Sequence, residues 1–281
     1  MAPVCAELPE ALLAVLREGH PALLLTAGAD GFPASAFTWA AALDPLTVRF
    51  GADHGSSALA NLQRQARASL QILAEEGLLF LVKGPAGPVR PSIESAHPQG
   101  MALWEMVVVE VRDQSWPGVR VRPLAYDWAP PQRERMLALE RAVIAEMRAA
   151  PSPPLSGVVV TGVGSGARFT QLAWARDRLS ALLGADPWPG TLNLRVDEPT
   201  VLARWRAQRA RPGTLLRAAD PASCDARAYA VRVGDVRALI VVPEVPGYPE
   251  DQIELVAARH LRSELGLSDG DRVDVQRAER P

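Results

Sequence analysis

The sequence predicts a mainly β protein with some helices, folded as two β-barrel domains. Short strand-like segments, separated by glycine, proline and acidic turn signals, recur at barrel-like spacing in both halves of the chain. The stretch 151–154 reads Pro-Ser-Pro-Pro and follows a helical pattern, so it ends that helix and forms a stiff linker. A chain of 281 residues, 48% of them hydrophobic, can form two packed cores. We therefore expect domains at 1–150 and 151–281.

The first half has three predicted helices among its strands. Leucines recur on one face of 8–17, which predicts an amphipathic helix. Apolar residues at helical spacing predict further helices at 56–64 and 130–150. The predicted strands are 22–26, 33–40, 46–50, 68–73, 78–82, 106–111 and 119–123, with a hairpin turn at 28–31.

The second half repeats this mixture of strands and short helices. Helices are predicted at 174–183, from Pro199 onwards and at 259–265, with Gly184 and Gly266 as left-handed caps of the first and the last. The predicted strands are 156–161, 192–196, 228–233, 238–242, 253–257 and 272–275. This order indicates a small closed barrel with helices around it.

Composition excludes several classes of protein. No apolar run is long enough to span a membrane, and the first residues lack the features of a signal peptide, so we expect a cytoplasmic protein without a membrane partner. Two cysteines cannot form a disulfide framework. The net charge of -2 argues against a nucleic-acid partner. The single lysine, Lys83, precedes Gly84 and so cannot belong to a Walker A loop; a nucleotide would be held by backbone amides and arginines.

Residues 184–193 contain the most informative stretch. Thr191 and Asn193 are two residues apart, so in an extended segment their side chains leave the same face. A hydroxyl and an amide oxygen suit a Mg²⁺ ion that draws its negative ligands from a nucleotide. A stiff turn in which Asn193 caps its own backbone is the alternative. Upstream, the alternate glycines of 162–166 fit a phosphate nest or only a tight bend.

The first half resembles a family of flavoproteins. The matching residues are Thr26, Asp30, Gly31, Phe32, Pro33, Ser35, Trp39, Ser56, Ser57, Asn61 and Leu62. Over about 8–125 this order resembles the FMN-binding split barrels related to pyridoxamine 5'-phosphate oxidase. The resemblance implies that five residues lie along a bound FMN, and it implies a possible homodimer through the barrel. These five are Ser35, Trp39, Ser56, Ser57 and Asn61.

Two features of the first half depart from that family or have simpler explanations. The family places a basic residue shortly after the serine of the second motif, whereas here the nearest are Arg64 and Arg67. Ser56 as a helix cap and Trp39 as a core residue explain the same positions without a ligand.

The second half resembles a family of kinases through five motifs in order. They are GxGxG at 162–166, LGxxPWPGTLN at 183–193, VPE at 242–244, IELVA at 253–257, and HLR at 260–262 with LxDGD at 267–271. Together, over about 156–277, they resemble the CTP-dependent riboflavin kinases typical of archaea, which have a cradle-loop barrel.

That resemblance implies a role for each motif. The glycine loop, Gly162, Val163, Gly164, Ser165, Gly166 and Ala167, would hold the CTP phosphates, and Arg259, His260, Leu261 and Arg262 would close on the nucleotide. Thr191 and Asn193 would bind Mg²⁺. Glu254 would be the catalytic carboxylate, orienting the ribityl 5'-hydroxyl or accepting its proton. Ser165 stands where the family often has an acid, and Pro246 stands where a hydroxyl residue touches the flavin, which predicts weaker flavin binding.

Two hypotheses follow. In the first, the chain phosphorylates riboflavin to FMN with CTP and Mg²⁺, releasing CDP, and its first domain holds FMN. In the second, it is an FMN-dependent oxidoreductase or a flavin-binding sensor with a degenerate kinase domain. The sequence leaves open the choice between CTP and ATP, a redox reaction in the first domain and the number of chains that assemble.

Overall fold

The computed structural model describes residues 4–119, 121–162, 164–219 and 223–278. The chain divides into two compact units. The first unit contains 1–152 together with 206–211, and the second contains 153–205 and 212–281.

The first unit is a closed antiparallel barrel. Its strands are β1 Val4–Cys5, β2 His20–Ala27, β3 Pro33–Asp44, β4 Thr47–Asp53, β5 Arg67–Leu73, β6 Leu79–Arg90, β7 Met101–Val107 and β8 Glu110–Asp113. Six of these described strands form a ring in the order β6-β5-β2-β3-β4-β7, which the pairing of β6 with β7 closes. β8 pairs with β6 outside the ring, and β1 pairs with β8.

Three helices cover this barrel: α1 Glu10–Glu18, α2 Ser57–Gln65 and α3 Arg133–Ala149. The leucine face predicted for α1 is buried, since Leu12, Leu13 and Leu16 all lie in the barrel core. α3 packs differently. Its Val143, Ile144 and Met147 join Trp39 in a separate cluster.

The second unit is another closed antiparallel barrel. Its strands are β9 Leu155–Val160, β10 Leu192–Arg195, β11 Thr214–Leu216, β12 Ala226–Val233, β13 Val236–Pro243, β14 Gln252–Ala257 and β15 Arg272–Arg277. The described ring runs β12-β13-β14-β10-β9-β15 and closes through the pairing of β12 with β15. The helices that follow α3 in the chain are α4 Ser165–Gln171, α5 Ala173–Leu183, α6 Pro199–Arg209 and α7 Leu261–Leu265.

The two rings confirm the predicted fold class, mainly β with two barrels, but several predicted elements were wrong. No strand forms at 119 or at 121–123; the chain turns at Pro117-Gly118, where the Val119 N–H donates to the Trp116 carbonyl oxygen. The predicted strand 106–111 is instead two strands. β7 ends at Val107 and β8 begins at Glu110, because they pair with different segments of β6: β7 with Ala86–Arg90 and β8 with Phe80–Lys83.

Other boundaries differ in instructive ways. β6 extends to Arg90, well beyond the predicted 78–82. The glycine loop leads directly into α4, a helix that the sequence did not predict. α7 begins at Leu261 rather than at residue 259. Among the described helices, none combines the length and apolar character needed to cross a membrane.

Candidate active site

The candidate site lies on the outer face of the second barrel, across β10 and β14. Leu192 and Leu194 of β10 are buried in the barrel core, as are Ile253 and Leu255 of β14. Alternation along each strand therefore turns the residues between them to the opposite face. Asn193 lies directly across from Glu254 in the antiparallel register. The sheet thus brings the predicted metal ligand beside the predicted carboxylate.

Two glycines of the loop press against the two predicted metal ligands. A Cβ added at Gly162 would lie 2.3 Å from Asn193 Nδ2, and one added at Gly166 would lie 2.3 Å from Thr191 Oγ1. At contacts this short, any side chain added at either glycine would have to displace Asn193 or Thr191. The loop and the Thr191–Asn193 segment therefore form one closely packed unit.

Thr170 connects the glycine loop to the Thr191–Asn193 segment, a role that no sequence pattern indicated. Its side chain is completely buried, and its Oγ1 donates to the carbonyl oxygen of Gly166, 3.1 Å away. The same oxygen accepts the Gly190 N–H over 3.0 Å. A single hydroxyl therefore connects α4 to the backbone that carries Thr191.

A chain of polar contacts runs from Thr191 to Glu254. Asn193 Nδ2 lies 3.4 Å from Thr191 Oγ1, and Asn193 Oδ1 lies 3.4 Å from Gln252 Nε2. Gln252 Nε2 also donates to Glu254 Oε1 over 2.9 Å. Tyr248 donates its hydroxyl to the same Oε1 over 2.9 Å. Sequence reasoning missed Gln252 and Tyr248; only the position of Gln252, two residues before Glu254 on one strand face, could have indicated it.

Arg262 is fixed beside the start of the glycine loop. Its guanidinium donates to the Val160 carbonyl oxygen over 3.0 Å and pairs with Asp269 at 2.6 Å. The Thr161 hydroxyl donates to the other oxygen of Asp269 over 2.5 Å. Thr161 and Arg262 lower the pKa of Asp269 below its usual 3.8. At neutral pH the carboxylate is ionised and keeps the arginine at the loop.

A small cavity opens next to Thr191. It has a volume of about 140 Å³, below the roughly 300–1,000 Å³ typical of pockets for drug-sized ligands, so it fits only part of a ligand. Its lining includes Thr191, Trp188, His260 and Arg262. The Trp188 and His260 rings lie 5.3 Å apart, and Trp188 is 47% exposed. An exposed indole beside arginines suits a planar group attached to phosphates.

The other residues predicted to bind ligands in this unit lie in several different places. Arg259 and Leu261 also line the cavity, although Arg259 pairs with Glu264 and Leu261 is buried. Val163 and the side chain of Ser165 lie outside the described part of the structure. Ala167 follows Gly166 in α4. Pro246 is exposed in the loop that leads to Tyr248.

The predicted metal site has no cluster of protein carboxylates around it in the described part of the chain. Among the described residues, no three His, Cys, Asp or Glu side chains come together in a way that could hold a metal ion. A cation at Thr191 and Asn193 would therefore take its negative ligands from a bound phosphate.

The five predicted flavin contacts of the first unit do not form one open surface. Ser35 and Ser57 are exposed. Ser56 caps α2, accepting the Leu59 N–H over 3.1 Å. Asn61 is buried, donating to Thr26 Oγ1 and accepting from Arg64.

Trp39 is covered by an aromatic segment of its own unit. Its Nε1 donates to the Tyr126 hydroxyl over 2.6 Å, and the Tyr126 ring meets Phe37 and Trp128 edge to face. Burial raises the pKa of Tyr126, so its hydroxyl stays protonated. Trp39 and Ser56 occupy the core and cap positions that the simpler interpretation describes.

Solved structures offer only a weak likeness. A candidate pyridoxamine 5'-phosphate oxidase from Lactobacillus delbrueckii aligns with 38% of this chain and 94% of its own, at 18% identity and a TM-score of 0.32. One from Listeria innocua aligns with 37% of this chain and 96% of its own, at 16% identity and a TM-score of 0.30. The fold of the first unit therefore rests on its own strand topology.

The sequence comparisons concern the second half. The family model CTP-dep_RFKase, described as a domain of unknown function (DUF120), matches residues 159–276. A riboflavin kinase from Methanocella arvoryzae is 38% identical over 132 residues, which are 44% of this chain and 56% of that protein. A riboflavin kinase from Pyrobaculum islandicum is 38% identical over 129 residues, 43% of this chain and 59% of that protein. The alignments thus span less than two thirds of these relatives. The C-terminal region of this chain contains a domain of the CTP-dependent riboflavin kinase type.

Proposed function

We propose that this chain phosphorylates riboflavin to FMN, with CTP as phosphoryl donor and Mg²⁺ as the metal. One observation carries the proposal: the glycine loop packs against Thr191 and Asn193, directly across the sheet from Glu254, inside the segment that matches the family. Donor, metal and acceptor sites would then meet at one place on the barrel.

The nucleotide would lie between the glycine loop and the cavity. Backbone N–H groups of 162–167 would bind the phosphates, as glycine-rich nests do in other phosphate sites. Arg262, held at the loop by Asp269, adds positive charge there. Trp188 and His260 would contact the base. Because phosphoryl transfer needs mainly positioning and charge stabilisation, these residues supply the kinds of group the reaction requires.

Thr191 and Asn193 fit a magnesium site. Gly162 and Gly166 allow the glycine loop to contact both side chains, because a Cβ at either position would meet Asn193 or Thr191 at 2.3 Å. Their oxygens are hard, neutral donors of the kind Mg²⁺ accepts alongside phosphate oxygens. Ligation through Asn193 Oδ1 requires the amide to rotate, because Nδ2 now faces Thr191. When bound, Mg²⁺ would neutralise charge on the phosphates.

Glu254 would act on the acceptor. Its carboxylate can accept a hydrogen bond from the ribityl 5'-hydroxyl and so direct the oxygen toward the γ-phosphorus. The new O–P bond forms as the bond from that phosphorus to the bridging oxygen breaks. CDP leaves, and the hydroxyl proton passes to Glu254. FMN is the product.

The test is a kinase assay on the full chain. Purified protein is incubated with riboflavin, Mg²⁺ and either CTP or ATP in parallel, and FMN is separated chromatographically and measured by fluorescence. We expect FMN with CTP, much less with ATP, and none after chelation of the metal. Absence of FMN from a protein with an intact circular dichroism spectrum would overturn the proposal.

Thr191→Ala tests the metal site. The variant should lose Mg²⁺-dependent turnover and keep its fold, because Thr191 is only partly buried. Thr214→Ala is a matched control, since Thr214 is an exposed threonine on β11 of the same unit. Its turnover should equal that of the wild type.

The first unit as an FMN holder, and as a dimer surface, stays a prediction. Three of its five proposed contacts, Trp39, Ser56 and Asn61, form hydrogen bonds within the first unit. The flavin-sensor hypothesis makes a distinct prediction: purified protein would hold FMN in the first unit and show no turnover.

A further inference from the structure

The Glu254 carboxylate is held by two residues to which the proposed function assigns no role. Tyr248 reaches it from the loop after β13, and Gln252 reaches it from the same strand. Both donate to Oε1 over 2.9 Å. No described residue forms a hydrogen bond with the other oxygen, Oε2. The carboxylate is therefore fixed through one oxygen and presents the other.

Gln252 also connects the carboxylate to the predicted metal ligand. Its Nε2 lies 3.4 Å from Asn193 Oδ1 as well as 2.9 Å from Glu254 Oε1. Asn193 and Glu254 face each other across the strand pair, and Gln252 is diagonal to Asn193 on the same face. One amide group therefore bridges the two halves of the candidate site.

Fixing a carboxylate in this way has a chemical consequence. The terminal torsion of a glutamate is broad, so an unrestrained carboxylate samples many orientations. Two donors on one oxygen remove that freedom, and hydrogen bonds to an ionised group are among the strong ones. A misplacement of about 1 Å at a reacting group can reduce a rate by roughly 10²-fold.

We propose that Tyr248 and Gln252 are positioning residues for phosphoryl transfer, an inference that rests on the proposed function. They hold Glu254 through Oε1 so that Oε2 faces the acceptor hydroxyl. Neither residue needs to touch the substrate to do this.

The experiment combines turnover with ligand binding. Tyr248→Phe and Gln252→Leu are made in the full chain, each in the wild-type and the Glu254→Gln background, with Gln276→Leu as the control because Gln276 is exposed on β15. FMN formation gives kcat and KM for CTP. Quenching of flavin fluorescence, measured without CTP, gives the riboflavin Kd.

We expect each substitution to lower kcat about tenfold, corresponding to one hydrogen bond to a charged group, while KM for CTP stays within about twofold. Riboflavin Kd should rise several-fold in the wild-type background and stay unchanged in the Glu254→Gln background. Gln276→Leu should change neither quantity.

Each other outcome is decisive. FMN formation by wild type, with kcat and riboflavin Kd of both variants unchanged, overturns the positioning role and leaves the kinase proposal standing. No FMN from wild type, with a Glu254-dependent effect on riboflavin Kd, overturns the kinase proposal and with it the role in phosphoryl transfer, and restricts the two residues to holding Glu254 for riboflavin binding. An equal loss of riboflavin binding in both backgrounds shows that the residues do not act through Glu254. Absence of both riboflavin binding and FMN formation overturns both proposals.

Discussion

Two glycines set the distances on which the candidate site depends. Gly162 and Gly166 allow the loop to approach Asn193 and Thr191 so closely that a methyl group at either position would displace these side chains. Neither glycine has a left-handed φ, so the backbone itself would tolerate alanine. An alanine at either position therefore tests the contact between the loop and its neighbours without adding backbone strain.

Gly166→Ala should therefore reduce activity without unfolding the protein. Its Cβ would be 2.3 Å from Thr191 Oγ1, so Thr191 must move by about 1 Å, and we expect a loss of about 100-fold in FMN formation. Alanine favours the helix over glycine by roughly 1 kcal/mol, which offsets part of the cost of moving Thr191, so the protein should stay folded with only a small fall in melting temperature.

Gly164→Ala is the contrasting variant. Gly164 has φ +81°, and a Cβ there would contact nothing within 4 Å. Its cost is backbone strain of about 1–2 kcal/mol, which lowers the melting temperature, with Thr191 undisturbed. A Gly166→Ala protein with wild-type turnover would show that loop packing against Thr191 is unimportant for the reaction.

At the scale of elements, a buried arginine ties α3 to the first barrel. Arg49 of β4 is 1% exposed and faces Glu105 across the β4–β7 pair. Its guanidinium donates to Glu105 at 3.1 Å and to the carbonyl oxygens of Met147 and Ala150 at 2.7 and 2.5 Å. Those carbonyls lie at the C-terminal end of α3, where no intrahelical partner is available.

Arg49→Met should destabilise the first unit strongly. The change leaves the largely buried Glu105 without its partner and the helix carbonyls without donors, which together cost about 3–5 kcal/mol. Urea-dependent hydrogen exchange of α3 and β4 amides measures the loss. Arg49→Met combined with Glu105→Leu should recover at least half of it. If the single variant loses less than 1 kcal/mol, the ion pair does not anchor the helix.

Glu146 forms a second, pH-dependent tie on α3. Its carboxylate accepts the Glu94 and Ser95 N–H groups at 2.9 Å and the Ser95 hydroxyl at 2.6 Å. Burial opposes ionisation, but the hydrogen bonds from Ser95 and Glu94 outweigh it and lower the pKa of Glu146 below 4.5. Because the pKa of Glu146 is lower in the folded state than in the unfolded state, the ionised carboxylate stabilises the folded state above pH 4.5. This stabilisation is lost as the pH falls through the folded-state pKa.

Glu146→Gln should therefore destabilise the first unit at neutral pH but not in acid. We expect a loss of about 1–2 kcal/mol at pH 7, or roughly 2–8 °C in melting temperature. The difference in melting temperature between the variant and the wild type should disappear well below pH 4.5. Thermal melts between pH 3 and 7 test this, with the exposed Glu75→Gln as control. A gap that is constant across pH would rule out the ionised hydrogen bonds as its source.

The same scale shows what the sequence could and could not predict. The leucine face of α1 and the strand alternation around Asn193 followed from periodicity, and ordered motifs indicated Thr191, Asn193 and Glu254. The full length of β6 could not be predicted, because its glycines and prolines resemble turn signals. A Cβ at Gly84 would lie 1.8 Å from the Val107 carbonyl oxygen, so this glycine serves a close strand crossing. Tyr248 was missed because only the folded loop brings it to Glu254.

At the scale of the whole molecule, the proposed ligand sites are divided between the two barrels. The proposed kinase residues lie in the second unit, and the five proposed FMN contacts lie in the first. Protection from hydrogen exchange can therefore assign each ligand to a unit without dividing the chain. The two functional hypotheses then predict different patterns on the same protein.

CTP with Mg²⁺ should protect 160–167, 188–193 and 259–262, and riboflavin should protect 248–254. At 100 times Kd a ligand stabilises its site by about 2.7 kcal/mol, so amides there that exchange through local opening should slow by roughly 100-fold.

FMN at the same excess is the comparison: under the kinase proposal it protects the riboflavin segments as product. Under the flavin-sensor hypothesis it instead protects 35–39 and 56–61, which requires Trp39 to leave the Tyr126 hydroxyl. Since that movement exposes the indole, a change in tryptophan fluorescence on adding FMN would accompany it. Protection by CTP in the first unit would contradict the placement of the nucleotide at the glycine loop.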